Sequence, residues 1–308
     1  MGWQKGLVLM AVLEVDHLTK DYGNGRGVFD VSFGVEKGEV FGFLGPNGAG
    51  KTTTIRHILG FSRPDKGSTS VDGLDSWNEP AKIQLALGYL PGEMALPNDM
   101  TGIQLIRQIA QMRKMSDMTR AEHLIRRFGL DPTGSLKRMS KGMKQKIGIV
   151  CAFMHNPQIL ILDEPTSGLD PLMQNAFVDL IREEKEAGKT VLMSSHMFEE
   201  VEKTCDRIAI IKDGKLISTI EADELRHARQ KVYKLGFTSS EQYERFIDEP
   251  LDFVERSAQK RQAKVSVRDD EINTFISLLS HYELKYLTEV RHTLEEYFMR
   301  FYGGDQLD

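Results

Sequence analysis

Residues 45–52 read GPNGAGKT, a complete match to the pattern G-x-x-x-x-G-K-[ST]. The run follows a predicted strand, EVFGFL, and opens a helix predicted from Lys51 to Leu59 that carries Ile55 and Ile58 on one face. Glycines let backbone N–H groups turn inward around an anion, and the helix N-terminus adds positive charge. The sequence therefore predicts a phosphate-binding loop between a strand and a helix.

Nine consecutive residues are the predicted phosphate-loop contacts. We expect Lys51 to reach the β- and γ-phosphates of a nucleotide, and the Thr52 hydroxyl to be a ligand of Mg²⁺. The full set of predicted contacts is Gly45, Pro46, Asn47, Gly48, Ala49, Gly50, Lys51, Thr52 and Thr53.

An acidic pair ends a short apolar run in ILILDEP, residues 159–165. An all-apolar run is typical of a parallel strand buried on both faces, and the carboxyl ends of such strands line a ligand crevice. We expect Asp163 to hold Mg²⁺ through water and Glu164 to be the general base for an attacking water. Alternation along a strand predicts that the two side chains point to opposite sides. The structural alternative is a pair of solvated carboxylates.

Four further motifs are SKGMKQK at 140–146, SGLD at 167–170, SSH at 194–196, and KDYG, which contains Tyr22. With the glycine loop and the acidic pair, this set resembles the ATP-binding-cassette (ABC) ATPases over about residues 12–225. The resemblance implies ATP and Mg²⁺ as cofactors. It also implies an α/β P-loop NTPase core with an antiparallel β subdomain and a helical subdomain.

The helical subdomain is expected at about residues 94–158. Residues 226–308 are predicted to form a small accessory α+β domain, since glycine becomes scarce and charge dense there. Its final helix is predicted in TLEEYFMRFY. Between these regions, TVLMSS predicts a strand, MFEEVEKTC a helix, and RIAIIKDGKLIST a hairpin that turns at Asp213 and Gly214.

The resemblance also implies roles for residues outside the glycine loop. Ser140 and Gly142 would form a second anion site that clamps the ATP of a partner chain, in a head-to-tail dimer with Asp170 in the D-loop. His196 would contact the γ-phosphate, and Tyr22 would stack on adenine. The structural alternatives are an ordinary helix cap for Ser140, a strand-end histidine for His196 and a surface aromatic for Tyr22.

Two departures from the family pattern stand out. Lys141 and Met143 replace Gly and Gln of the family signature, and such KGM variants resemble those of bacterial exporters with a separate ATPase chain. In YLPGE, Gly92 stands where the family usually has a glutamine. The neighbouring Glu93 is an uncertain candidate for part of that role at Mg²⁺.

Composition limits where in the cell we expect the protein. Net charge is -5, the two cysteines cannot build a disulfide framework, and no run approaches the roughly 20 apolar residues of a membrane span. LVLMAVL at 7–13 is interpreted as a tail leading into the first strand rather than a targeting segment. We expect a cytoplasmic protein held on the inner face of the membrane by permease subunits.

Three function classes remain open on the sequence. The first is the ATPase subunit of a membrane exporter, paired with a second copy or a paralogous ATPase. The second is a soluble ABC ATPase acting on nucleic acid or ribosomes. The segment from Glu93 to Gln158 carries eleven Lys or Arg against five Asp or Glu, although it has no interleaved aromatics and nucleic acid is unlikely. The third is a P-loop kinase, which leaves the other motifs unexplained.

Overall fold

The computed structural model describes residues 11–222 and 230–290. These residues belong to two compact units that meet in the chain between Ala222 and Asp223. Each unit has its own sheet system and its own apolar core. The P-loop NTPase core predicted from the sequence is the first unit.

A six-stranded sheet in the order β10-β9-β3-β8-β7-β6 is the centre of the first unit. All neighbours run parallel except β10, which returns antiparallel to β9. Strands β3, β7 and β8 are buried along their whole length, as apolar parallel strands require. The strands are β3 Val40–Leu44, β6 Leu87–Leu90, β7 Ile159–Asp163, β8 Thr190–Ser195, β9 Arg207–Lys212 and β10 Lys215–Glu221.

A second sheet, in the order β2-β1-β4-β5, is antiparallel. It shares one apolar core with the central sheet, in which Phe33 of β2 stacks on Phe41 of β3 with ring centroids 5.1 Å apart. The predicted antiparallel β subdomain is this sheet. Its strands are β1 Leu13–Asp21, β2 Gly27–Val35, β4 Lys66–Val71 and β5 Leu74–Asp75.

Seven described helices accompany these sheets. The segment predicted as mostly helical contains three of them and a short 3₁₀ turn at Leu136–Arg138. Thr101 starts one of these three with a capping box, because its hydroxyl and the Gln104 side chain bond each other's backbone N–H groups. The helices are α1 Lys51–Ile58, α2 Pro80–Ala86, α3 Gly102–Met112, α4 Thr119–Arg127, α5 Lys141–Phe153, α6 Pro171–Glu186 and α7 Phe198–Thr204.

The hairpin prediction is confirmed. Strands β9 and β10 pair across Asp213 and Gly214, whose φ values are +48° and +74°. Two left-handed residues give the type of turn that fits the twist of a two-residue hairpin.

The second unit has the order β11, α8, β12, β13, α9, β14, with a 3₁₀ turn at Asp269–Glu271. Its strands lie in the order β12-β13-β11-β14, all antiparallel, which is the ferredoxin-like split βαβ arrangement. The predicted helix TLEEYFMRFY lies outside the described residues. The elements are β11 Gln230–Phe237, α8 Ser240–Ile247, β12 Asp252–Ser257, β13 Gln262–Arg268, α9 Ile272–Leu279 and β14 Leu284–Val290.

No helix within residues 11–222 and 230–290 is both long enough and apolar enough to cross a membrane.

Candidate nucleotide-binding and catalytic site

Four parallel strands end at one edge of the central sheet, and each leads into a predicted site segment. The glycine loop follows β3, the acidic pair ends β7, the SSH motif ends β8, and Gly92 and Glu93 follow β6. Since the carboxyl ends of parallel strands define a crevice, these segments meet there. They line a cleft of about 770 Å³. Its lining residues are Asn47, Gly48, Gly50, Lys51, Thr52, Thr53, Arg56, Phe61, Tyr89, Pro91, Gly92, Glu93, Lys141, Asp163, Glu164, Ser167 and His196.

The glycine loop needs its glycines for two reasons. Gly48 and Gly50 have φ values of +83° and +110°, a region that side chains disfavour. A Cβ on Gly45 would lie 2.4 Å from the carbonyl oxygen of Ile211. The loop therefore packs against β9 while its open side faces the cleft. Gly45, Pro46 and Ala49 belong to the loop but are not among the cleft-lining residues.

Lys51 is the first residue of α1 and is 5% exposed. Its ammonium donates to the carbonyl oxygens of Gly45 at 2.6 Å and Pro46 at 3.2 Å. It also lies 3.0 Å from Oε1 of Glu164. A buried ammonium with three oxygen partners has a fixed position, under the loop and beside the acidic pair.

Thr52 and Asp163 form the oxygen pair that the sequence predicts as a metal site. The Thr52 hydroxyl donates to Oδ2 of Asp163 at 2.7 Å, and the Ser194 hydroxyl donates to Oδ1 at 2.5 Å. Asp163 is 1% exposed, so both of its oxygens are held in a low-dielectric setting. A hydroxyl and a carboxylate are hard oxygen ligands of the kind that Mg²⁺ takes together with substrate phosphates, so the residues fit this metal.

Glu164 departs from the expected alternation. Its φ of +48° takes the chain out of the extended conformation, so Asp163 and Glu164 line the same cleft instead of facing opposite sides. The backbone N–H of Glu164 donates to the hydroxyl of Ser194 at 3.1 Å. Its carboxylate lies between Lys51 and His196, whose Nδ1 is 2.5 Å from Oε2. The two carboxylates therefore have different partners despite sharing one cleft.

Gln145 of α5 supports the turn at Glu164, although the sequence indicates no role for it in the site. Its side-chain amide donates to the carbonyl oxygens of Glu164 at 3.3 Å and Pro165 at 2.8 Å. The sequence signal that could have indicated this support is the position of Gln145 in SKGMKQK, five residues after Ser140 and on the buried side of the helix. It ties the strained turn at Glu164 to the helical part of the unit.

Tyr89 and Gly92 form the wall on the β6 side. Burial, helped by the negative charge of Asp163, raises the pKa of Tyr89 to about 12, so its phenol stays protonated. A Cβ on Gly92 would lie 3.3 Å from Cγ of Asp163. A glutamine at this position would therefore start in contact with the Asp163 carboxylate. Glu93 lines the cleft as well.

The signature residues lie at the start of α5. The Ser140 hydroxyl accepts the N–H of Met143 at 3.2 Å, the helix-cap geometry given as its structural alternative. Gly142 is in close contact with the D-loop, since a Cβ there would lie 2.4 Å from the carbonyl oxygen of Gly168. Lys141 donates to the Ser167 hydroxyl at 2.7 Å.

Ser140, Gly142 and Asp170 are not brought into the cleft, and neither is Tyr22. Asp170 caps α6, with its Oδ1 accepting the N–H of Met173 at 3.0 Å. Tyr22 is 56% exposed, with the ammonium of Lys20 5.9 Å from its ring centroid.

Comparison with known proteins agrees with this arrangement. Residues 28–167 match the family model described as ABC transporter. The chain is 32% identical to an uncharacterized ABC transporter ATP-binding protein, YhcH, of Bacillus subtilis (strain 168), over 96% of this chain and 97% of that protein. It is 38% identical to the linearmycin resistance ATP-binding protein LnrL of the same organism, over 67% of this chain and 68% of LnrL.

A solved structure of the ATP-binding subunit of an ABC transporter superposes with a TM-score of 0.64. It has 34% sequence identity and covers 70% of this chain and 92% of its own. Together with the phosphate loop and the acidic pair of the cleft, these likenesses settle the family. The chain belongs to the ATP-binding proteins of ABC transporters and is an ATPase.

Proposed function

We propose that this chain powers a membrane exporter from its cytoplasmic face. Two copies, or one copy and a paralogous ATPase, would bind ATP, close head to tail and drive separate transmembrane permease subunits. The observation that carries the proposal is the single cleft in which the glycine loop, Asp163, Glu164 and His196 meet. The name of LnrL, a resistance protein, supports the export direction.

The proposed chemistry is hydrolysis of the bond between the γ-phosphorus and the β–γ bridging oxygen. Lys51 would bind the β- and γ-phosphates, while Thr52 and Asp163 would hold Mg²⁺, which supplies charge neutralisation on the phosphate oxygens. Glu164 would accept a proton from the attacking water, and His196 would contact the γ-phosphate. The contacts of Glu164 with Lys51 and His196 support this division of roles.

The proposed dimer depends on the N-terminus of α5, which is the second predicted anion site. Ser140 and Gly142 lie outside their own chain's cleft, which suits contact with the ATP of a partner chain. Lys141 links the signature to the D-loop through Ser167 and lines the cleft itself. A movement of the D-loop would therefore affect both the cleft and the proposed signature contact with the partner's ATP.

A second groove supports a docking role for permease subunits. It measures about 550 Å³, and Leu85 and Met112 at its rim are 71% and 73% exposed. Phe61 and Tyr89 line both this groove and the nucleotide cleft, with their rings edge to face at 5.9 Å. A permease helix bound in the groove would contact the wall of the ATP site, which is the coupling that a transporter needs.

A nucleic-acid partner is less well supported, because three arginines of the basic segment at residues 93–158 make contacts inside the first unit. The Arg113 guanidinium donates to backbone carbonyls of Gln84 and Leu87, at 3.4 and 3.1 Å. Arg120 and Arg127 of α4 pair with carboxylates of α6. These three guanidiniums join α3 and α4 to the rest of the unit.

Co-purification tests the proposal. The Glu164→Gln variant, tagged and extracted from native membranes in mild detergent with Mg·ATP, should bring a stoichiometric integral membrane protein with it. Changing Leu85 to Glu in the groove should release that protein without loss of ATP binding. Changing the exposed Ile217 of β10 to Glu is the matched control and should keep the partner. Ribosomes or nucleic acid in place of a membrane protein would contradict the proposal.

A further inference from the structure

Glu200 is a buried carboxylate that the chemistry above does not use. It lies in α7, just after the SSH motif, and is 5% exposed. The helix that carries it is closely packed on β3, because a Cβ on Gly42 would lie 2.3 Å from Cγ1 of Val201. The Thr204 hydroxyl also donates to the Glu200 carbonyl at 2.7 Å. The backbone position of Glu200 is therefore well fixed.

Ser195 connects Glu200 to the turn that carries His196. The Ser195 hydroxyl donates to Oε2 of Glu200 at 2.7 Å and accepts the N–H of Met197 at 2.9 Å. The Ser195 carbonyl accepts the N–H of Gly45 at 3.3 Å. Ser195, which precedes His196, therefore contacts α7, the residue that follows His196 and the first residue of the glycine loop.

The carboxylate is kept at a cost in free energy. Its other oxygen, Oε1, is buried as well. Burial raises the pKa of Glu200 to about 7, the hydroxyls of Ser195 and Thr166 lower it, and the charge of Glu164 raises it. A buried carboxylate that is held by hydroxyl groups and lies near the charge of Glu164 is unfavourable for folding alone, so a role in the site is the better explanation.

His196 needs such support because nearly half of its side chain, 47%, is exposed. An exposed imidazole on a short turn can adopt several orientations, and only some bring Nδ1 to Glu164. We propose that Glu200 is a positioning residue for ATP hydrolysis, which holds the Ser195 hydroxyl and through it the turn that keeps His196 against Glu164. The inference rests on the roles proposed above for His196 and Glu164.

Steady-state kinetics of the full chain test this role. Glu200→Ala should lower kcat by about tenfold to a hundredfold, as for a misplaced catalytic group, with KM for ATP changed less than about twofold. Glu200→Gln should retain most of kcat, because its amide oxygen can still accept from Ser195. Ser195→Ala should resemble Glu200→Ala, and the double variant should lose no more than either single one.

The control is Glu39→Gln, at another buried carboxylate whose pKa is raised mainly by burial. Glu39 lies just before the amino end of β3, at the opposite end from the glycine loop, so kcat should not change. All rates are taken per folded molecule, from the unfolding curve of each variant.

Two results would overturn the inference. One is a wild-type kcat in Glu200→Ala, and the other is an equal loss in Glu200→Gln and Glu200→Ala. His196→Ala separates this from a failure of the proposed roles. If His196→Ala hydrolyses ATP normally, the role of His196 is wrong; if it is impaired while Glu200→Ala is not, only the positioning by Glu200 is wrong.

Discussion

At the residue scale, Glu164 has a backbone conformation that places it in the cleft beside Asp163. A non-glycine residue at a φ of +48° is strained, and such strain persists where surrounding contacts hold it. Here the holding contacts come from Ser194 and Gln145. The motif predicted the residue, whereas its conformation and supports depend on packing between distant segments.

Ser195 and Glu200 could not be predicted for the same reason. A serine and a glutamate near a strand end are common, and nothing in their spacing indicates a buried contact. The residues of the glycine loop could be predicted, because glycines and a lysine at this spacing are typical of a phosphate-binding loop.

Lys51→Ala should weaken ATP binding by at least about tenfold, since it removes the buried cation that we propose to bind the phosphates. It also leaves the Glu164 carboxylate without its cationic partner. Titration with a fluorescent ATP analogue measures the change. Lys66→Ala, at an exposed lysine of β4, is the control and should bind normally. Equal affinity in Lys51→Ala and wild type would mean that the lysine does not contact the phosphates.

Glu200 also predicts a pH dependence of stability. Its pKa is raised from 4.5 to about 7, so the folded chain keeps this proton where the unfolded chain has lost it. The contribution to stability is complete below pH 4.5 and is lost as pH rises through about 7, by up to roughly 3 kcal/mol.

Urea unfolding of wild type and Glu200→Gln across this range isolates that contribution. Burial lowers the pKa of His155 to about 4, so His155 changes stability in the opposite direction, but it is the same in both proteins. The stability difference should shift in favour of Glu200→Gln as pH rises. A difference that stays constant with pH would contradict the raised pKa.

At the scale of elements, the burial pattern shows which strands and helices could be predicted from the sequence and which could not. The apolar runs of β3, β7 and β8 are buried throughout, so their character is visible in the sequence. Strand β4 reads KGSTSV, with three exposed residues at its start, and α2 has only seven residues. Such short, weakly patterned elements obtain their structure from neighbours.

The contact between α7 and β3 gives a prediction at this scale. Gly42→Ala places a methyl group 2.3 Å from Cγ1 of Val201 and 2.9 Å from Sγ of Cys205, so α7 must shift. We expect a loss of about 1–3 kcal/mol in stability, as for overpacked cores. Adding Val201→Ala should recover part of it, as thermal or urea unfolding would measure. No recovery in the double variant would mean that the two side chains do not limit the contact.

For the whole molecule, the sequence predicts an α/β unit followed by a smaller α+β domain. The strand order of the second unit follows from pairing between segments far apart in the chain. Register such as Tyr233 opposite Val265 and Glu289 cannot be assigned from alternation alone. The predicted domain limits of 12–225 and 226–308 remain a proposal.

A chain that stops after Ala222 should bind ATP with unchanged affinity. The glycine loop, the acidic pair and the SSH motif all lie before this residue, and the second unit has a separate apolar core. Titration with an ATP analogue beside the full chain measures this. Loss of binding in a truncated chain that still folds would show that the second unit contributes to the site.

We propose Glu164 as the base of an ATPase that works as an ATP-closed dimer. The most direct measurement combines the hydrolysis rate with light scattering after gel filtration, on wild type and Glu164→Gln, with and without Mg·ATP. We expect Glu164→Gln to lose turnover and to elute as a dimer only with ATP, since an amide cannot take the proton from water. Normal hydrolysis by Glu164→Gln, or a monomer that ATP never changes, would contradict it.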